Sequence, residues 1–313
     1  MKILITGITG FLGSRLSELL RKREFEVSGS SRVGDTTRNI YATGDIDGHT
    51  HWQEIVSGCD VVIHAAGRAH ILRDTETDIT EAFMRVNCEA TIKLAKDACA
   101  AGVKQFIFIS SIGVNGENRQ LQVISEMSTP NPLSPYALSK YEAEKQLLEI
   151  FKDTEMGITI IRPALICGPG APGNIERLLK LVASGLPLPF KHVNNVRGMA
   201  SLDNVCDFII HCINHPLAKG EIFVFSDEDE LSIEEIANTM SAGMNKKTRL
   251  IAVPPLLLKV LLTMFGKRKI YEQLFSSLSI DASKSRNFMK WQPVITIRDS
   301  LFAAGQAFHK DKK

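Results

Sequence analysis

Tyr136 and Lys140 stand four residues apart just after Pro135, at the start of a helical pattern, so both side chains leave the same helix face. An ammonium beside a phenol stabilises the phenolate and lowers its pKa, which makes such a tyrosine an acid and base usable near neutral pH. Tyr141 and Lys145 repeat the spacing, but about 140° round the helix, so the two pairs cannot face one pocket. The position of Tyr136, where a loop enters the helix, favours the first pair. Ser110 and Ser111 close the apolar run KQFIFI (104–109), and a hydroxyl at a strand end can orient a reacting oxygen. Together these side chains can move a proton on and off a substrate oxygen.

A second constellation is the run Thr6-Gly7-Ile8-Thr9-Gly10-Phe11-Leu12-Gly13. Glycines at such a turn let backbone N–H groups approach a pyrophosphate, and the helix N-terminus that follows favours its negative charge. Gly7, Gly10 and Gly13, with Thr9, Phe11 and Leu12 between them, are therefore expected to bind a dinucleotide. The second strand ends at Ser31 and Arg32. An acid there would hold the adenosine ribose and favour NAD, whereas an arginine accommodates the extra phosphate of NADP. NADP is the expected cofactor. NAD stays open, because Asp35 could fold back into the acidic role.

These groups need a scaffold. Lys2–Thr6, Glu26–Ser30, Ile40–Thr43, Asp60–His64, Lys104–Ile109 and Ile158–Arg162 read as strands. Phe11–Arg23, Glu81–Ala101 and Pro135–Phe151 read as helices between them. Continuous apolar strands alternating with amphipathic helices predict a doubly wound parallel α/β sheet, a Rossmann fold. After the turn-rich Cys167–Gly173 a smaller mixed α/β C-terminal lobe is expected, for substrate. The predicted division is 1–165 and 166–313, with the two parts interleaved. Helices near Ile175–Ser184, Ile233–Met244 and Pro255–Phe265, and a strand near Ile222–Phe225, fall in the second part. Ser232 and Glu235 have the spacing of a capping box.

Composition narrows the functions available. The 313 residues carry a formal charge of only +2, which gives no field suited to nucleic acid. The cysteines Cys59, Cys88, Cys99, Cys167, Cys206 and Cys212 show no metal or disulfide spacing, and neither His49 nor His51 has a third ligand nearby, so no metal is expected. The first apolar run is too short for a signal sequence. Val253–Phe265 is too short to span a bilayer and carries Lys259, so it reads as a packed helix, with peripheral contact with a membrane as the alternative. A cytoplasmic protein with no membrane span is expected.

The motifs together resemble the extended short-chain dehydrogenase/reductases of the nucleotide-sugar epimerase/dehydratase superfamily. The resemblance rests on TGITGFLG (6–13), GDI (44–46), VIHAAG (62–67), Asn87, FISSIGVNG (108–116), SPYALSK (134–140), IIRPALICGPG (160–170), Arg197, Asp203 and IDASKSRNFMKW (280–291). It implies Ser111, Tyr136 and Lys140 as the catalytic set, since the family pattern S-x-x-V-Y-G falls on Ser111, Val114 and Gly116. The family tyrosine is Asn115 here. It further implies Asp45 and Ile46 near adenine, Ala65, Ala66 and Gly67 along the cofactor with Asn87 and Pro163, and Lys140 on the nicotinamide ribose. On the substrate side it implies Ser111, Asn115, Asn174, Arg197 and Arg268. Arg197 falls on an arginine that grips the substrate diphosphate, a task suited to its forked donors. Lys267 and Lys269 are alternatives to Arg268 as a second cation. A homodimer through Glu81–Ala101 and Pro135–Phe151 is also implied.

Dehydratases of that superfamily carry an acid pair after the catalytic Ser/Thr. Ile112 and Gly113 stand there instead, so dehydration is not expected. RAHILRD (68–74), SSIGVNGE (110–117) and GLPLPF (185–190) resemble bacterial O-antigen enzymes that reduce UDP-4-keto-6-deoxy-N-acetylhexosamines. The expected reaction is therefore hydride transfer from NADPH to C4 of such a UDP-sugar. The alternative is a UDP-glucose or UDP-N-acetylglucosamine 4-epimerase with tightly bound NAD. A non-catalytic NADP-gated protein of this fold would commonly lack the Tyr or the Lys, and both are present.

Overall fold

The computed structural model describes residues 1–69, 76–116, 123–264, 266, 271 and 274–310. Its strands are β1 (Lys2–Thr6), β2 (Glu26–Ser31), β3 (Ile40–Ala42), β4 (Val61–His64), β5 (Gln105–Ile109), β6 (Gly157–Pro163), β7 (Leu165–Cys167), β8 (Met199–Ser201) and β9 (Glu221–Phe225). Seven of them form one parallel sheet in the order β3-β2-β1-β4-β5-β6-β9, and β7 pairs with β8 separately. The chain reverses its direction of travel across the sheet between β1 and β4. Open α/β sheets bind their ligands at such a switch point.

The helices are α1 (Phe11–Lys22), α2 (Gln53–Val56), α3 (Ile79–Met84), α4 (Ala90–Ala100), α5 (Pro135–Phe151), α6 (Asn174–Ala183), α7 (Leu202–Cys212), α8 (Ile233–Gly243), α9 (Pro255–Met264), α10 (Ser283–Asn287) and α11 (Ile297–Lys310). One face of the sheet packs Leu16 and Leu20 of α1 with Val205, Phe208 and Ile209 of α7 and with Trp291. The other packs Leu94 and Ala95 of α4 with Ala143, Leu147 and Phe151 of α5, and with Trp52. Cover on both faces is why β1, β4, β5 and β6 are continuous apolar runs rather than alternating ones. A third core joins Leu178 and Leu179 of α6, Ile236 and Met240 of α8, and Leu301 of α11. The predicted capping box starts α8: Ser232 Oγ accepts from Glu235 N at 3.2 Å, and the Glu235 carboxylate accepts from Ser232 N at 2.9 Å.

Three elements differ from expectation. The strand read into the smaller lobe, β9, lies in the main sheet beside β6, with Pro163 opposite Phe225. Phe223, Val224 and Phe225 are fully buried there, so the chain beyond residue 165 completes the core that the first 165 residues begin. The long helix expected at 81–101 is α3 and α4 joined by a π-helical turn at Arg85–Glu89. The wider turn accommodates Asn87, whose side chain is fully buried, and such bulges are frequent at functional sites. Finally, α9 was expected to be packed, yet Leu256, Leu257, Val260 and Met264 are exposed on it. The lobe core is already filled by α6, α8 and α11. Among the described residues no helix is long and apolar enough to cross a membrane.

Candidate active site

Between β1 and α1 the chain passes very close to its neighbours. Gly7 has φ +69°, and a Cβ on it would lie 2.8 Å from Ala66 N. A Cβ on Gly13 would lie 2.2 Å from Gly7 O. Only glycine fits either position. Gly10 caps α1 without a side-chain hydrogen bond, which leaves the first-turn N–H groups of Phe11, Leu12 and Gly13 available to an anion. The side chains of Phe11 and Leu12 pack inward against the core.

A cleft of about 570 Å³ opens over this turn, lined by Gly7, Thr9, Gly10, Ser31, Arg32, Asp45, Ile46, Ala65, Ala66 and Gly67. Ten residues named from sequence thus meet in one place, and the bare glycine backbone fits a dinucleotide pyrophosphate. Ser31 Oγ donates to Val33 O at 2.5 Å. Arg32 Nε lies 3.9 Å from Asp45 Oδ1, both side chains being mostly exposed. Asp35 does not fold back to the end of β2. Its carboxylate accepts from Thr37 N (3.1 Å) and Thr37 Oγ1 (2.6 Å), which commits it to the 35–38 turn. Arg68, Glu76 and Arg85 also line the cleft and were not singled out from sequence. Only Arg68 carried a signal, by directly following the Ala65–Gly67 turn.

The catalytic candidates come from β5 and α5. Ser134 Oγ accepts from Ala137 N at 3.2 Å and Pro135 fills the first helical turn, so α5 begins just ahead of Tyr136. The Tyr136 ring sits edge-on to Phe83, 6.1 Å between centroids. The Ser111 hydroxyl works against burial in setting the Tyr136 pKa, and its Oγ accepts from Gly113 N at 3.1 Å. Ser110 Oγ is buried with no hydrogen-bond partner. Of the two serines, only Ser111 bears on the Tyr136 phenol.

One electrostatic expectation is corrected. Burial raises the Tyr136 pKa, with the Ser111 hydrogen bond opposing it, and Lys140 is not among the causes. The ammonium is turned elsewhere: Lys140 Nζ donates to Ile109 O at 3.0 Å and lies 4.6 Å from the Phe108 ring centroid. Burial lowers the pKa of Lys140 itself to about 8, opposed by the Glu144 carboxylate. Glu144, one turn further along α5, accepts from Arg162 Nε (3.0 Å) and Nη2 (2.5 Å) in a fully buried ion pair. The sequence reading missed this pair, although the i,i+4 spacing from Lys140 to Glu144 was there to be seen.

Polar chains behind the site tie these parts together. Asn87 Oδ1 accepts from Arg68 N (2.7 Å), and its Nδ2 donates to Arg68 O (3.1 Å) and Ser139 Oγ (3.0 Å). A Cβ on Gly67 would meet Asn87 Oδ1 at 3.0 Å and Lys140 Nζ at 3.3 Å, so the Ala65–Gly67 turn rests on both. Thr6 Oγ1 accepts from Ala66 N (3.3 Å) and donates to His64 Nδ1 (2.6 Å). His64 Nε2 then donates to Thr91 Oγ1 (2.9 Å), which donates to Asn87 O (2.8 Å). Burial, with Lys140 adding to it, pushes the His64 pKa down to about 3, so this ring stays neutral and structural.

The substrate-side candidates are more scattered. Asn115 is almost fully buried; its Oδ1 accepts from Arg162 Nη1 (3.2 Å) and its Nδ2 donates to Ser128 O (3.3 Å). Asn174 is exposed at the start of α6 and accepts from Arg177 Nη1. Arg197 is half-buried, and its Nη1 donates to Ser276 O at 3.0 Å. Burial lowers its pKa, and among the described residues no carboxylate pairs with it. Pro163 ends β6, buried opposite Phe225. Asp203 accepts from Arg15 Nε at 2.6 Å and fastens α7 to α1. Arg268, Lys267 and Lys269 lie outside the described residues.

Comparison with known proteins fits this geometry. A UDP-glucose 4-epimerase of Vibrio cholerae is 36% identical over 98% of this chain and 95% of its own. The N-acetyl-α-D-glucosaminyl-diphospho-ditrans,octacis-undecaprenol 4-epimerase of Escherichia coli O157:H7 is 28% identical over 80% of this chain and 75% of its own. The UDP-glucuronic acid 4-epimerase of Bacillus cereus, solved with UDP-glucuronic acid and NAD, shares the fold with a TM-score of 0.78 at 22% identity over 100% of both chains. Residues 3–225 match the NAD dependent epimerase/dehydratase family, and the chain belongs to that family.

Proposed function

We propose that this chain inverts C4 of a UDP-hexose, with a nicotinamide dinucleotide in the glycine cleft and Ser111, Tyr136 and Lys140 as the reacting side chains. The observation that carries the reading is the end-to-end similarity to the Vibrio cholerae UDP-glucose 4-epimerase. The Escherichia coli relative is also named for inversion at C4 of a diphosphate-linked hexose. NAD is the cofactor on this reading, as in the Bacillus cereus enzyme.

A nicotinamide held over the Gly7–Gly13 turn would supply reversible hydride chemistry at C4. Tyr136 takes the O4 proton as C4 is oxidised and returns it on reduction, and Ser111 hydrogen-bonds the same oxygen. Lys140 fixes the cofactor ribose, its ammonium held in place by the Ile109 carbonyl. Arg197, a half-buried guanidinium with no carboxylate partner among the described residues, binds the substrate diphosphate. Ile112 and Gly113, where a dehydratase carries acids, offer no proton donor. A homodimer completes the reading, with the exposed Ile79, Leu138 and Ile150 at its contact.

One observation favours a second reading. The second strand ends in Ser31 and Arg32 without an acid, and Arg32 lines the cleft, an arrangement suited to NADP and to the reduction of a UDP-4-keto-6-deoxy-N-acetylhexosamine for O-antigen synthesis. Purified protein is incubated with UDP-glucose or UDP-N-acetylglucosamine without added coenzyme, and separately with the 4-keto sugar and NADPH. Interconversion of C4 epimers in the first supports the epimerase. Stoichiometric loss of NADPH absorbance in the second, with no epimerisation, replaces it by the reductase. In either case Tyr136→Phe is expected to lower turnover by about 10²–10⁴-fold while cofactor affinity is kept. Unchanged turnover removes Tyr136 from the chemistry.

A further inference from the structure

α9 belongs to neither the sheet nor the glycine cleft, and its surface is unusual for this chain. Leu256, Leu257, Val260 and Met264 are 74%, 51%, 49% and 78% exposed. At about 100° per residue these four side chains fall within one arc about 100° wide. Ile251, on the strand-like segment that leads into the helix, is 46% exposed. Single exposed leucines are ordinary, but a contiguous apolar stripe marks a surface that is covered in use.

The charges around the stripe identify what covers it. Between Met244 and Tyr271 the sequence has Lys246, Lys247, Arg249, Lys259, Lys267, Arg268 and Lys269 and no Asp or Glu, in a chain whose totals are nearly balanced at 37 basic and 35 acidic residues. Lys246, Lys247, Arg249 and Lys259 are exposed. A second copy docking through the same face would bring like charges together with no acid from this stretch to pair them. An apolar stripe in a stretch of chain whose charges are all basic complements lipid tails and anionic headgroups instead. α9 is ten residues long, about 15 Å at 1.5 Å per residue, so it lies along an interface rather than across it.

We infer that α9 docks the protein peripherally on an anionic phospholipid bilayer, with Leu256, Leu257, Val260 and Met264 entering the headgroup boundary. The geometry also fixes which side of the molecule meets the lipid. Ahead of the helix, Leu188 N donates to Arg249 O (2.7 Å) and Ile251 N to Leu188 O (2.9 Å); beyond it, Leu278 N donates to Val196 O (2.7 Å) and Arg197 to Ser276 O. α9 therefore hangs between two segments that lead to Arg197, and docking turns the smaller lobe toward the membrane. The inference does not depend on which sugar reaction the protein performs.

Sedimentation of the full-length protein with vesicles tests it. Vesicles of phosphatidylethanolamine and phosphatidylglycerol are expected to carry down about tenfold more protein than pure phosphatidylcholine vesicles, with the difference suppressed by high salt. The variant Leu256→Ser/Leu257→Ser/Val260→Ser should lose that binding while keeping its catalytic rate and circular dichroism. Lys246→Glu/Lys247→Glu/Arg249→Glu should weaken it with the stripe intact, and it provides the reading if the first variant fails to fold. No sedimentation of the wild type with anionic vesicles, or equal sedimentation of wild type and variants, overturns the proposal. Self-association in solution that the serine variant abolishes assigns the face to a second copy and likewise overturns it.

Discussion

Lys140 is a cation held where a cation is costly. Burial brings its pKa to about 8, below the usual lysine value of about 10.4, so it is charged below pH 8 and neutral above. A role that needs the ammonium is therefore lost as pH rises through about 8. The profile of kcat/KM, which reports the free enzyme, is expected to show an alkaline limb near pH 8, and a flat profile there would separate the Lys140 charge from catalysis. Burial acts oppositely on Tyr136, which stays protonated in the free protein. The sequence displayed the Tyr–Lys spacing but not where the ammonium points, because the Ile109 carbonyl that holds it lies on another element. Likewise spacing alone does not separate Ser110 from Ser111, which only the family pattern distinguishes. Beyond β5 the two have different surroundings, Ser110 Oγ buried without a partner and Ser111 Oγ accepting from Gly113 N.

At the scale of elements, the turn between β1 and α1 depends on an interatomic distance. Gly13→Ala places a methyl group 2.2 Å from Gly7 O, so α1 must move away from the loop. Calorimetry is expected to show loss of dinucleotide binding, and thermal melting a destabilisation of about 1–3 kcal/mol. Helix α5 carries a second constraint, the buried Glu144–Arg162 pair. Glu144→Gln leaves the guanidinium buried without its counter-charge, which costs about 3–5 kcal/mol in denaturant unfolding. Because Glu144 raises the Lys140 pKa, the same variant should also shift the alkaline limb to lower pH. The elements around β1, α1, β4, β5 and α5 were legible because their periodicity or continuous apolarity is strong. Helices α7 and α11 were not picked out. In α7 eight of eleven residues are buried, which narrows its polar face to Asp203, Asp207 and His211 and weakens the helical signal in the sequence.

For the whole molecule, the chain returns to its first sheet after leaving it. β9 pairs with β6, and Phe208 of α7 stacks on Phe225 with ring centroids 5.0 Å apart and packs edge-on to Trp291 at 5.6 Å. A fragment of residues 1–165 lacks all of these, leaving Leu16, Leu20 and the β6 edge without cover. It is expected to show no cooperative unfolding transition, whereas the full chain does; a sharp transition in the fragment would make the first portion self-sufficient. α9 points the other way, toward a surface outside the chain.

Local chemistry was legible in the sequence alone: a glycine turn shaped for a pyrophosphate, a phenol and an amine one helical turn apart, a parallel sheet implied by continuous apolar strands, and a family likeness running nearly end to end. These are properties of neighbours in the chain, where spacing fixes geometry. Only the tertiary structure decided that Ser110 is buried without a partner, that Lys140 is anchored on Ile109, that Asp35 is committed to its own turn, that β9 closes the first sheet and that the apolar stripe of α9 faces outward. Each depends on contacts between distant segments, and burial and electrostatics arise only once those segments pack.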